Sequence, residues 1–311
     1  MKILNTIHPF SSAAQQILEQ IGDIDHESLT QNELKERIGA YDTLLVGLGL
    51  RVDRAVIDAG GKLRIVASAT TGLDHVDMEY AQSKGISVVS LRGEEEFLRG
   101  ITGTAELAFG LLLSLVRHIP AACNSVKAGE WDRQKFCGNA LSGKTLGIVG
   151  LGRLGGMMAR FGAAFGMDVI AVDPEKKISD PVRLVSFDTL IAQSDVVSVH
   201  VHLTKETDKM FNERVFNKMK TGSYLINTAR GKIVDEAALL RALERNAIAG
   251  YAADVLDGEL FFGQRKVTHP LIDYAKKHDN VIITPHIGGA TREAWTAVDV
   301  FIARKVAASL S

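Results

Sequence analysis

The stretch Leu146-Gly147-Ile148-Val149-Gly150-Leu151-Gly152-Arg153-Leu154-Gly155-Gly156-Met157 runs from an apolar strand into a glycine-rich turn and on into a helix that continues over Met157–Phe165. Each piece of Gly150-x-Gly152-x-x-Gly155 has a physical task. Gly150 permits a tight turn, Gly152 lets a pyrophosphate approach the backbone, and Gly155 allows close packing of helix on sheet. Arg153 and Leu154, between the second and third glycines, are further cofactor-binding candidates, and the helix N-terminus that follows supplies free N–H groups and a positive dipole toward an anion. A second strand ends at Asp173, 23 residues after Gly150. A carboxylate there accepts hydrogen bonds from both ribose hydroxyls of an adenosine and repels a 2′-phosphate, so the pattern favours NAD(H) over NADP(H).

Outward from this motif, short apolar runs rich in β-branched residues alternate with helix-like stretches, the pattern of a parallel sheet flanked by helices. Toward the N-terminus the strand candidates are Ile3–Ile7, Thr43–Val46, Arg64–Ala67 and Ser87–Val89, with helices at Ser12–Gln20 and Thr30–Gly39 and weaker ones at Val52–Ala59 and Met78–Lys84. A helix capped by Thr104 follows and is apolar on all sides, so it must be buried between layers, domains or subunits. The second α/β series continues with strands near 168–173, 196–201, 224–227, 250–254 and 281–284. After Pro285, residues Trp295, Val298, Ile302, Val306 and Leu310 fall at helical spacing. The 311 residues accommodate about two domains.

Composition narrows the function classes. With 36 basic and 37 acidic residues the net charge is −1, so no basic footprint for nucleic acid exists. Apolar runs such as Leu107–Val116 fall short of a membrane span. The N-terminus lacks a leader pattern, and Cys123 and Cys137 have neither CxxC spacing nor a matching second pair. The expectation is a cytoplasmic protein with free thiols and no structural metal.

Three segments downstream of the dinucleotide motif carry chemistry at strand ends, where open α/β sheets bind ligands. They are Asn227-Thr228-Ala229-Arg230-Gly231, Asp254-Val255-Leu256-Asp257-Gly258-Glu259 and Thr284-Pro285-His286-Ile287-Gly288-Gly289. A guanidinium forks a carboxylate or keto oxygen, and a histidine beside a carboxylate exchanges a proton near neutral pH. Spacing alone leaves the alternatives open: Arg230 as a surface ion pair, Glu259 as a solvated loop acid, His286 as a structural histidine.

The motif series resembles the D-isomer-specific 2-hydroxyacid dehydrogenase family along nearly the whole chain. Ala69-Thr70-Thr71-Gly72-Leu73-Asp74-His75-Val76-Asp77 and Thr104-Ala105-Glu106 carry the likeness, together with the Gly150 turn and the three segments above. The resemblance implies that Arg230 binds substrate and stabilises its carbonyl, that Glu259 pairs with His286, and that His286 is the acid/base. It implies a carboxylate seat at the amides of Thr71 and Gly72, and cofactor contacts that include Thr228 and Asp254. The implied architecture is two open parallel-sheet α/β domains, Rossmann-like and flavodoxin-like. An NAD domain (99–286) is inserted into a substrate domain formed by 1–98 and 287–311, with a cleft where they meet. The family also implies a homodimer in which the apolar helix after Thr104 contributes to the interface, and a small 2-hydroxy or 2-keto acid as substrate, of the phosphoglycerate or hydroxypyruvate/glyoxylate type.

The chain departs from the family in places. Leu260 follows Glu259 where proline is usual, the loop Phe261–Thr268 is atypical, and His200-Val201-His202 stands where one histidine is common. A metal pair at His200 and His202 lacks a third ligand. Candidates for gripping a substrate phosphate are Arg51, Arg92, Arg99 and Lys135. With Ser311 ending the terminal helix, a C-terminal regulatory domain is not expected. Two competing functions are an NAD(H)-responsive, corepressor-like binding protein and a formate- or phosphite-type dehydrogenase, the latter leaving His286 a different role.

Overall fold

The computed structural model describes residues 1–176, 182–262 and 267–309. The chain begins β1 (Lys2–Asn5), α1 (Ser12–Glu19), β2 (Asp23–His26), α2 (Gln31–Arg37), β3 (Thr43–Val46), α3 (Arg54–Ala59), β4 (Ile65–Ser68), α4 (Met78–Ser83), β5 (Ser87–Val89) and α5 (Glu95–Leu98). It continues α6 (Gly103–Val116), α7 (Ile119–Lys127), β6 (Thr145–Val149), α8 (Arg153–Ala164), β7 (Asp168–Val172), β8 (Arg183–Leu184), α9 (Phe187–Gln193) and β9 (Val196–Val199). It closes α10 (Glu213–Lys218), β10 (Ser223–Asn227), α11 (Glu236–Glu244), β11 (Ile248–Ala253), α12 (Pro270–Ala275), β12 (Val281–Ile283) and α13 (Arg292–Ala308). Two compact units result: Met1–Ile101, Leu260–Arg265 and Ala290–Ser311 form the first, Thr102–Glu259 and Lys266–Gly289 the second.

Among the described residues, the first unit is a five-stranded parallel sheet in the order β2-β1-β3-β4-β5, the flavodoxin-like winding. β3 and β4 are buried throughout, as a sheet covered on both faces requires. One face carries a core of Leu34, Ile38, Tyr41, Val56 and Ile57. The other is closed by Ala14 and Leu18 of α1 and by Val298, Ile302 and Val306 of α13. Trp295, at the same helical spacing, lies in the first turn of α13 and stays 43% exposed, and Leu310 lies outside the described residues. β2 is absent from the strands expected of the sequence: Asp23-Ile24-Asp25-His26 is a polar edge strand without the apolar run of an inner strand.

The second unit is a seven-stranded parallel sheet among the described residues, ordered β12-β11-β10-β9-β6-β7-β8. Strand order reverses between β6 and β9, the switch point beyond whose carboxyl ends such sheets bind ligands. β8, two residues at the far edge, is likewise absent from the expected strands. Helix α6 packs on β10, β11, β12 and α8. It buries Ala105, Ala108, Phe109, Leu111, Leu112, Leu115 and Val116, so burial inside the second unit already accounts for its lack of a polar face. The expected Thr104 cap is corrected: Thr102 precedes the helix, and its hydroxyl bonds Glu106 rather than a backbone amide. By composition Glu95–Val116 is long and apolar enough to cross a bilayer, although Leu107–Val116 alone is too short. In the fold α5 and α6 are separate helices, and the 14 residues of α6 span about 21 Å against a hydrocarbon core of about 30 Å.

The units divide three residues beyond each expected boundary, at Ile101 and Gly289, and Leu260–Arg265 joins the first. The reasons are local. Leu98 and Ile101 pack in the first core, while the amides of Ile287 and Gly288 are tied to Asp254 in the second unit.

Candidate active site

The glycine turn joins β6 to α8 at the switch point. Gly150 has φ +91°, and a Cβ on it would lie 2.6 Å from the carbonyl oxygen of His200. A Cβ on Gly155 would lie 2.0 Å from the Gly150 oxygen, so the first turn of α8 rests directly on the strand end. Gly152 differs: it is the N-cap of α8, it is exposed, and a Cβ there would meet nothing within 4 Å. Arg153 and Leu154 follow in the first helical turn, both half-buried, and burial pulls the Arg153 pKa down.

Asp173, just past β7, accepts from the Leu151 amide at 2.8 Å through one carboxylate oxygen and from the Glu175 amide at 2.9 Å through the other. One lone pair per oxygen remains for further donors. After β10, Thr228 is 7% exposed and its hydroxyl is buried without a hydrogen-bond partner. A backbone cradle that a side chain would fill, an open helix N-terminus and an orphaned hydroxyl together fit a dinucleotide.

The strand ends β10, β11 and β12 position the other predicted residues. Buried Asn227 shapes the Arg230 loop, accepting from the Ala229 amide at 3.0 Å and donating to the Arg230 carbonyl at 2.9 Å. The Arg230 guanidinium donates to the Ala229 carbonyl at 2.7 Å. A Cβ on Gly231 would come within 2.2 Å of the Asp257 nitrogen, so the Arg230 loop lies hard against the segment leading to Glu259. Glu259 accepts from the Leu256 amide at 3.2 Å and, through its other oxygen, pairs with His286 Nδ1 at 2.8 Å. His286 sits at φ 54°, its backbone nitrogen donating to the Asp254 carbonyl at 2.9 Å.

Asp254 has a different visible role from the cofactor contact expected of it. Its buried carboxylate accepts from the Thr284 hydroxyl (2.6 Å) and from the amides of Ile287 (2.8 Å) and Gly288 (2.6 Å), bracing the turn that presents His286.

Thr71 and Gly72 belong to the first unit, half-buried in the turn after β4. Buried Ser68 bonds the Thr70 hydroxyl at 2.9 Å and His75 Nε2 at 3.0 Å, and Thr70 donates to the Gly72 carbonyl at 2.7 Å. This network sets the shape of the Thr71–Gly72 backbone.

The two strand-end histidines part company. His200 Nε2 meets the Ser198 hydroxyl at 2.8 Å, and burial pushes its pKa down to about 4, so the ring is neutral. Its Nδ1 is buried without a partner. His202 is exposed, and its carbonyl accepts from the Thr207 hydroxyl. Of the basic candidates, Lys135 pairs with Glu130 at 3.2 Å, and Arg51 stacks on Phe261, 4.6 Å from the ring centroid. Within the loop Phe261–Thr268, residues 263–266 lie outside the described residues. A buried Glu236–His269 pair behind Glu259 is not among the residues the sequence points to, its only signals there being an acid after the Asp235 helix cap and a histidine before Pro270.

The family profile "D-isomer specific 2-hydroxyacid dehydrogenase, NAD binding domain" matches residues 109–288. D-3-phosphoglycerate dehydrogenase of Archaeoglobus fulgidus is 39% identical over 98% of this chain and 56% of its own length. Hydroxypyruvate reductase of Thermotoga maritima is 37% identical over 96% of this chain and 95% of its own. The D-lactate dehydrogenase of Aquifex aeolicus, solved with NAD and lactic acid, superposes with a TM-score of 0.85 at 29% identity, covering 100% of this chain and 95% of that one. The chain spans about half the length of the curated phosphoglycerate dehydrogenases it matches.

Proposed function

The chain belongs to the D-isomer-specific 2-hydroxyacid dehydrogenase family, and from that premise we propose that it interconverts a small 2-keto acid and its D-2-hydroxy acid with NAD(H). The observation that carries the reading is the 2.8 Å bond between His286 Nδ1 and Glu259. With Nδ1 committed to a carboxylate, Nε2 is the nitrogen left to exchange a proton with a substrate oxygen, and the carboxylate stabilises the imidazolium. Arg230 polarises the keto oxygen, and in the reducing direction His286 delivers the proton that converts it to a hydroxyl. The amides of Thr71 and Gly72 are assigned to the substrate carboxylate. Bound at the Gly150–Gly155 turn, NADH supplies the hydride that reaches C2.

Preference for NAD(H) over NADP(H) follows from Asp173, whose carboxylate disfavours a 2′-phosphate. The names of the relatives favour phosphoglycerate, hydroxypyruvate or glyoxylate chemistry. A homodimer is supported by exposed apolar side chains on and after α7, namely Ile119, Val126 and the 89%-exposed Trp131. Two exposed free thiols, Cys123 and Cys137, suit the reducing cytoplasm.

The test is NADH oxidation against glyoxylate, hydroxypyruvate, phosphohydroxypyruvate, pyruvate and longer 2-keto acids, with NADPH in parallel. Turnover of at least one with NADH, lost by about 10²–10⁴-fold in His286→Ala, is expected. Tight NADH binding without turnover across the panel, or a His286→Ala variant at the wild-type rate, overturns the reading.

A further inference from the structure

Behind the acid–base couple lies a second carboxylate–imidazole pair that the chemistry above does not use. Glu236 opens α11 and His269 caps α12; their side chains are 14% and 10% exposed, and Glu236 Oε2 stands 3.0 Å from His269 Nε2. Both groups also grip Asp257, two residues before Glu259. Glu236 Oε1 accepts from the Asp257 amide at 2.9 Å, and His269 hydrogen-bonds the Asp257 backbone.

The tautomer of His269 follows from its neighbours. Its Nδ1 accepts from the Leu271 amide at 3.3 Å, so Nδ1 bears no proton and the N–H of the neutral ring is on Nε2, 3.0 Å from Glu236 Oε2. An ionised Glu236 satisfies both donors that face it, one on each oxygen. A protonated Glu236 does not: its hydroxyl would have to donate to Nε2, which needs Nε2 bare and the imidazole proton moved to Nδ1, where Leu271 N–H already sits.

We propose that Glu236 and His269 form a positioning clamp that holds the Asp257 backbone and thereby sets Glu259 in register with His286; the proposal rests on the acid–base reading of that couple. The clamp works because Gly231 leaves no slack on the other side of the same segment, where Leu256 and Asp257 would meet any Cβ within 2.2 Å. Only the Glu236–His269 side is therefore free to loosen. A displacement of about 1 Å at a reacting group costs about 10²-fold in rate.

The groups around the clamp are acidic: Asp235 on α11, Asp257 and Glu259 on the adjoining loop, and Asp273 on α12 beside His269. Burial, reinforced by Asp257, Glu259 and Asp235, pushes the Glu236 carboxyl up to about 7. The clamp is consequently closed above neutrality and slackens as pH falls.

The experiment measures kcat for NADH-dependent keto-acid reduction from pH 5.5 to 9 in the wild type, Glu236→Gln, Glu236→Ala and His269→Asn, with NADH affinity by fluorescence and thermal midpoints alongside. Glu236→Gln keeps an acceptor for the Asp257 amide but, like protonated Glu236, turns a donor toward His269 Nε2–H and does not titrate, so its profile should lose the step near pH 7 and stay at the wild type's low-pH level. Glu236→Ala should lose about 10²-fold in kcat with NADH affinity unchanged, and Glu236→Gln, which still accepts from the Asp257 amide, should lose less. His269→Asn retains a helix-capping acceptor, and should lower kcat without lowering NADH affinity. An alanine variant with wild-type kcat and pH profile overturns the clamp, as do Gln and Ala variants that lose rate, NADH affinity and thermal midpoint in parallel. His286→Ala and Glu259→Gln, assayed beside them, separate the two failures: wild-type rates in these controls overturn the acid–base reading itself.

Discussion

Gly152 and Gly155 are three residues apart in one motif, yet the structure assigns them opposite sensitivities to the same added methyl group. At Gly155 the new Cβ would fall 2.0 Å from the Gly150 oxygen and 3.0 Å from Ile148 Cγ2. Ordinary contact begins near 3.4 Å, so α8 must move away from the strand by more than 1 Å or the strand end must bend. Overpacking of this kind costs about 1–3 kcal/mol or more, a drop of roughly 2–12 °C in thermal midpoint for a domain of this size. At Gly152 the backbone has φ −74° and ψ −155°, which alanine adopts, and the Cβ meets nothing within 4 Å. Gly152→Ala should therefore hold or gain stability, by about 0.4–1 kcal/mol through the unfolded chain. Its cost falls on the ligand. A methyl over the helix N-terminus displaces the pyrophosphate from charge-assisted bonds worth about 1.5–3 kcal/mol, or about 10–150-fold in NADH affinity. Thermal unfolding and NADH fluorescence titration on both variants read the two effects separately. Wild-type NADH affinity in Gly152→Ala would refute the pyrophosphate seat, and an unchanged midpoint in Gly155→Ala would refute the tight helix–strand contact.

Asp254→Asn replaces an acceptor of three donors with a group whose amide must oppose one of them; loosening the His286 turn should lower kcat by about 10²-fold, and a rate within twofold of wild type would show that the brace is dispensable. Asp173→Ala removes the carboxylate that accepts from Leu151; the ratio of NADH to NADPH efficiency should fall by about 10–150-fold, and an unchanged ratio would place cofactor selection elsewhere. Asp299, 4% exposed and bonded to the Ser11 amide at 2.9 Å, has its carboxyl pushed up to about 6 by burial. A raised carboxyl binds protons more readily folded than unfolded, so the contribution of Asp299 to stability should be greatest below about pH 4, decline up to about pH 6 and level off above. Denaturant titrations should then find Asp299→Asn level with wild type at pH 4 and more stable by up to about 3 kcal/mol at pH 7.5; a difference independent of pH would contradict this.

Features written in short-range pattern are legible in the amino-acid sequence alone. The β6–Gly150–α8 unit, the inner strands and the amphipathic run through Val298, Ile302 and Val306 depend on residues a few positions apart, where strand alternation and helical period act directly. The edge strands β2 and β8 are not legible, because an edge asks for no apolar run and its pairing partner is named elsewhere in the chain. Helix α6 is legible as buried, while what buries it, the strands β10 to β12, lies far along the chain.

The chemistry divides the same way. Arg230, Glu259 and His286 stand out as residue types at strand ends, and the family resemblance names their roles. Only the tertiary structure gives the implied Glu259–His286 pair, 27 positions apart, its 2.8 Å geometry through Nδ1, ties Asp254 to the His286 turn, and sets Glu236 against His269. The physical reason is that a side chain's charge state and partners depend on what is packed around it, and packing is decided by residues that share no local period with it.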